Sequence, residues 1–273
     1  MTPVESSVTR AGSIVGAIVL LATLTGSADA QRPAPGTRRP TPDSMTLLQA
    51  PSVVTLHDPF DAMLRSYVHA GAVDYAAWGA RDLPRLDHYL ARLSEVTADS
   101  LAPADRLAFW VNLYNATMIR AVCARWREGW RPDADSFAVF RAPLVRVRGG
   151  QTSLDFLERE VIRRQSMDPR IHVALVCAAR SCPPLSSRAY RGPDLDKVLE
   201  GNMRQFVADT TRNRVDTAAR TLRLSRLFDW YAADFGGAAA VPDYVGRKLG
   251  RDFKGWKVEF LEYDWRLNDA APR

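Results

Sequence analysis

The sequence predicts an α+β fold: a mostly helical single domain with a small, largely antiparallel sheet around a buried central helix. Three observations carry this expectation. Helical apolar spacing recurs along the chain more often than strand alternation. The candidate strands are not regularly interleaved with helices, as a doubly wound sheet would require. One long segment, residues 104–127, is apolar around most of its circumference, so it needs the rest of the chain to enclose it. The 273 residues are 47% hydrophobic and 25% charged, which excludes a wholly disordered chain. Sixteen Gly and seventeen Pro follow no fixed period, which excludes collagen-like and solenoid architectures.

In chain order, residues 58–68 have helical spacing through Phe60, Leu64 and Tyr67, and Gly71 to Tyr75 reads as a short extended piece after a turn. Leu83, Leu86, Leu90 and Leu93 repeat at intervals of three and four, an amphipathic helix. Pro103 then suits the first turn of the central helix. At 100° per residue, Leu107, Val111, Tyr114, Met118 and Val122 fall within about 80° of arc, and Trp110, Ile119 and Trp126 extend the apolar surface. Asn112 and Asn115 lie on the flank of this helix, where unpartnered amides would cost roughly 1–3 kcal/mol each. Residues 144–148 with Gly149-Gly150 suggest a hairpin. Thr152 with Asp155 resembles a capping box opening a helix to about residue 164. Residues 171–177 read as an apolar strand and 195–208 as a helix. Val215 pairs with 222–224 as a second hairpin. Residues 227–235 and 244–249 are helical, and 257–261 alternates as a last strand.

The N-terminus reads as an address. Residues 11–25 form an uncharged, mostly apolar run after Arg10, and Ala28-Asp29-Ala30 supplies a small-x-small cleavage pattern. The run is about fifteen residues where a membrane span needs roughly twenty. Residues 1–30 are therefore expected to be a signal peptide, and the protein to be exported, periplasmic or extracellular. Membrane contact is expected only through this segment before cleavage. Residues 31–45, with four prolines, cannot build a core and read as a disordered Pro/Arg-rich linker. One domain, 46–273, follows. The net charge of +6 is spread along the chain as single Arg residues without basic blocks, so nucleic acid is not an expected partner. An envelope component or a small-molecule substrate is.

Familiar catalytic motifs are missing: no GxSxG, HExxH, GxxxxGK[ST] or GxGxxG stands in the sequence. No cofactor is implied. Four histidines argue against a zinc site built on several of them. Chemistry concentrates in residues 171–184, IHVALVCAARSCPP. On a regular strand His172 and Cys177 would face opposite sides about 16 Å apart, which excludes a dyad within the strand. Cys182 lies beyond a turn. Three readings remain open for the cysteines: a Cys177–Cys182 disulfide, a thiol nucleophile at Cys177 or Cys182, or a metal or redox pair. Cys123, midway along the central helix, reads as core.

Phe109-Trp110-Val111-Asn112-Leu113-Tyr114-Asn115-Ala116 resembles the FW[IV]NLYNA signature of the domain-of-unknown-function family numbered 547. Further stations are similar and in the same order. They are Ser153-Leu154-Asp155 with Glu158, Pro169-Arg170-Ile171-His172 running into Cys177, and Ser181-Cys182-Pro183-Pro184-Leu185. Leu224-Ser225 with Phe228, Trp230-Tyr231, Asp234-Phe235 and Tyr263-Asp264-Trp265-Arg266-Leu267-Asn268 follow. The sequence departs from the pattern at Arg159, where the family usually has His, and at Val176, where Asn commonly precedes the first cysteine. The resemblance implies exported bacterial proteins and no particular reaction.

Two functions follow as expectations. The first is a non-catalytic binding or assembly module of the cell envelope with a Cys177–Cys182 loop. The alternative is a cysteine-dependent hydrolase or acyltransferase acting on an envelope amide or ester. There Cys182 or Cys177 is the nucleophile and His172 the base, Glu158 or Asn115 orients it, and Asn112 donates to an oxyanion. On the binding reading the same Asn, His and Glu side chains form a buried hydrogen-bond hub. His172 is expected to bond a carboxylate such as Glu158, or the Asn112–Asn115 flank, rather than a sulfur.

Overall fold

A helix that is apolar all round can only persist if other elements wrap it, and the computed structural model places the central helix, Pro103–Arg125, in that position. The structure describes residues 53–127 and 129–270, within one compact unit, Gln49–Arg273. The proposed signal peptide and linker lie outside the described residues. Pro103 fills the first turn, where its missing N–H is no loss. From Ala108 to Val122 nearly every side chain is buried, among them Phe109, Val111, Leu113, Met118 and Val122. Helices Tyr75–Arg81 and Leu83–Ser94 pack against its flank, and helix Asp58–Tyr67 packs on those two. Among these helices, Phe60, Tyr89 and Trp78 interlock by ring contacts, Phe60 and Tyr89 stacking with centroids 5.1 Å apart. Among the described residues no helix is long and apolar enough to cross a membrane.

Among the described residues the strands form three small sheets instead of one. Val68–His69 pairs with Ala72–Val73, and Val145–Val147 with Gly150–Thr152, both antiparallel. Arg214–Asp216, Thr221–Leu224 and Lys257–Phe260 form a three-stranded sheet whose first pair is antiparallel, with Val215 opposite Leu222, and whose second is parallel. In the first hairpin Gly71 adopts φ +84° and is pressed against the Pro183-Pro184 loop. A Cβ there would lie 2.3 Å from Pro184 Cβ, so only glycine fits.

A second apolar cluster, with Phe206, Phe228, Phe235 and Phe253, joins helix Leu195–Ala208 to the three-stranded sheet and helix Val241–Leu249. The segment between the two clusters corrects the strand expected at 171–177. Pro169–Val173 is a 3-10 helix, with Asp168 accepting from Arg170 N at 2.8 Å as its cap. Its apolar run reflects burial on both sides rather than a sheet: Ile171, Ala174 and Leu175 enter the first cluster and Val173 the second. Such a short run cannot by itself distinguish strand from buried turn. With the strand goes the opposite-face argument that separated His172 from Cys177.

Two other helix boundaries differ from expectation. Thr152 still pairs with Val145 in the hairpin, so the cap passes to Ser153, whose Oγ accepts from Phe156 N at 3.1 Å. The helix thus opened runs Leu154–Phe156, a π-helical turn Leu157–Arg163, and Arg164–Ser166. The expected 227–235 helix is broken into Leu227–Trp230 and a 3-10 turn, Ala232–Phe235, closed by Gly236 at φ +94°.

The C-terminal segment is strapped across the molecule by backbone bonds. Asn268 N donates to Ala178 O at 2.9 Å, Arg180 N to Arg266 O at 2.8 Å, and Val73 N to Asn268 O at 3.0 Å. Tyr75 Oη adds a bond to Asn268 Oδ1 at 2.8 Å. This strap carries Tyr263 and Trp265 to the cysteine loop.

Candidate functional site

A cleft of about 700 Å³ opens where the two clusters meet, between the π-turn helix, the 169–183 segment, the 227–231 helix end and the C-terminal strap. At 100° per residue, positions five apart on an α-helix diverge by about 140°. The wider π turn, with its i→i+5 bonds, brings Glu158 and Arg163 onto one side, and both line the cleft.

His172 sits on the 3-10 helix with its imidazole buried. Its Nε2 lies 2.7 Å from Asp234 Oδ2, and Arg163 grips that carboxylate from behind, Nε to Oδ2 at 2.9 Å and Nη2 to Oδ1 at 3.0 Å. Burial pulls the His172 pKa down to about 4, with the bond to Asp234 opposing, so the ring is neutral at pH 7. The Arg163 bonds hold Asp234 below the usual carboxylate range, so it only accepts. Nε2 therefore carries the proton and donates, leaving the lone pair on Nδ1. Tyr231 stacks on the imidazole with centroids 3.8 Å apart, and the Arg163 guanidinium lies over the other ring, 5.2 Å from the Tyr231 centroid.

Glu158 is half-buried beside this relay. Tyr231 Oη donates to Oε1 at 2.6 Å and Tyr114 Oη to Oε2 at 3.4 Å. Burial pushes its pKa up, and the Tyr231 bond and the Arg163 charge pull against it. Each carboxylate oxygen keeps lone pairs for a further donor.

Cys177 and Cys182 lie in the cleft wall at disulfide distance, their α-carbons 6.2 Å apart. Tyr263 Oη is 3.2 Å from Cys177 Sγ. Arg212 clamps the loop from outside, donating to the carbonyls of Cys182 at 2.8 Å and Arg180 at 2.9 Å. Closing so short a loop restricts the unfolded chain by roughly 2 kcal/mol. Cys123 is partly buried in the central helix, and burial pushes its thiol up to about 12.

Of the six residues singled out in the sequence, the fold gathers His172, Cys177, Cys182 and Glu158 around one cleft. Asn112 and Asn115 are elsewhere, each clipping a buried backbone. Asn112 donates to Tyr190 O at 2.8 Å and accepts from Tyr190 N at 3.0 Å. Asn115 donates to Ala174 O at 2.8 Å and accepts from Val176 N at 3.0 Å. Neither lines the cleft, which leaves the oxyanion and orienting roles without a geometry. The expected carboxylate partner of His172 is Asp234 rather than Glu158.

Asp234, Arg163, Tyr231 and the rim rings Trp230, Tyr263 and Trp265 are not among the site residues expected from the sequence. A signal did exist: apart from Arg163, they are the motif stations downstream of the cysteines. Trp230, half exposed, lies 4.8 Å from Tyr263 by ring centroid, and Tyr263 4.5 Å from Trp265. Phe137 meets Trp265 edge-on at 4.9 Å. Among the described residues no group of three or more His, Cys, Asp or Glu side chains is arranged to hold a metal ion.

No curated protein and no solved structure matches the chain. A family model does match, over residues 98–207, a span that holds the central helix, Glu158, His172 and both cleft cysteines but stops before Tyr231, Asp234 and the aromatic rim after it. The model that residues 98–207 match is that of the family described as protein of unknown function, DUF547.

Proposed function

We propose that this chain is an exported, non-catalytic binding module that takes its ligand into the aromatic cleft and uses the Cys177–Cys182 loop as a brace in the wall. The observation that carries the reading is the proximity of the two sulfurs to one another, which leaves neither as a thiolate once oxidised. The Ala28-Asp29-Ala30 pattern supports export, and an oxidising compartment suits a structural disulfide. The rings of the rim supply contact area at low conformational cost.

A second reading, a cysteine-dependent hydrolase or acyltransferase acting on an envelope amide or ester, is favoured by one feature. His172, with a free Nδ1 lone pair and Asp234 as its orienting partner, shares the cleft with both sulfurs. It requires the pair to be reduced.

Alkylation with N-ethylmaleimide, followed by mass analysis of protein taken from its native compartment, separates the two. The binding module leaves Cys177 and Cys182 unmodified until a reductant is added. Modification of either residue before reduction sinks it in favour of the thiol enzyme.

A further inference from the structure

Resting on the binding-module reading, we propose the ligand class: a saccharide chain bearing carboxylates, such as a polyuronate. Trp230 is half exposed and Tyr263 and Trp265 are partly exposed on the cleft, an aromatic surface suited to the apolar C–H face of a pyranose. Beside them Arg159 is exposed, and Arg141 stands on the same cleft. Each presents the planar fork that suits a carboxylate. The floor accepts hydrogen bonds: Glu158 keeps lone pairs beyond those its tyrosines use, and the neutral His172 keeps Nδ1. Hydroxyl donors below, a flat apolar face at the wall and an anion at the rim together describe an acidic sugar.

Other occupants fit less well. An extended peptide is held by pairing to a sheet edge, and the lining here is helix, turn and loop. A nucleotide needs a glycine-rich phosphate cradle, and among the described residues no glycine lines the cleft.

The test is tryptophan fluorescence and calorimetric titration of the intact oxidised protein with a galacturonate tetramer and with its fully methyl-esterified, uncharged counterpart. The acid form is expected to bind about fivefold more tightly than the ester, the scale of exposed charge pairs. A double variant, Arg141→Gln with Arg159→Gln, is expected to bind both equally. Trp230→Ala is expected to lose both ligands while still folding, as read by a cooperative melting transition. Equal binding of acid and ester by the wild type overturns the acidic class and leaves the binding module standing. Failure of both to bind overturns the saccharide assignment, again without touching the redox argument for the module. Cleavage of the tetramer, read by mass, overturns the non-catalytic reading and keeps the saccharide.

Discussion

Asn115 tests the hub at a single side chain. Its amide satisfies Ala174 O and Val176 N at once, both on the buried turn that follows His172. Asn115→Leu adds apolar volume but strands two buried backbone groups, each worth roughly 1–3 kcal/mol. A loss of about 2–4 kcal/mol in urea denaturation is expected. Coincident midpoints for variant and wild type would remove Asn115 from the hub. The residue was legible as a buried amide in a helical apolar field. Its partner was not, because a carbonyl 59 positions downstream carries no side-chain signature. Asp234 failed to stand out for a related reason. It stood in a motif station, but nothing in its own stretch of chain gave it a partner until His172 and Arg163 arrive from 62 and 71 positions away.

At the scale of elements, capping decides where the π-turn helix begins. Ser153 Oγ satisfies Phe156 N, while Thr152 belongs to the hairpin. Ser153→Ala is expected to cost about 1 kcal/mol and Thr152→Ala distinctly less, by thermal denaturation. The reverse order would return the cap to Thr152. The helices at 58, 83, 103 and 195 were readable because each combines apolar spacing with a proline or polar start. The 171–177 segment was not, since burial on both sides erases the periodicity that separates strand from turn.

For the whole molecule, acid stability follows from two buried histidines. Burial lowers His57, which bonds Tyr89 Oη through Nδ1 and also feels Arg191 and Asp58, to about 4. His172 stands at about 4 as well. The unfolded chain takes up these protons near pH 6.5, whereas the folded chain resists until about pH 4. Stability is therefore fully present above about pH 6.5 and falls as pH drops toward 4, by up to about 3 kcal/mol per histidine. Glu158, with its raised pKa, opposes the trend. Urea midpoints at pH 7 and pH 4.5 are expected to differ accordingly, and His57→Gln to shrink the difference. A flat profile between those values would mean that neither ring is held neutral.

Local chemistry settled the α+β class, the central helix and the hairpins at 145–152 and 214–224, because apolar spacing, turn residues and short loops act over a few positions. Assembly of the cleft was settled by tertiary structure alone. The π turn aligns Glu158 with Arg163, the broken 227–235 helix delivers Tyr231 and Asp234, and the C-terminal strap delivers Tyr263 and Trp265. The last two placements rest on hydrogen bonds and ion pairs between distant segments. Their energies depend on which groups meet after folding, and that meeting leaves no periodic trace in the order of the residues.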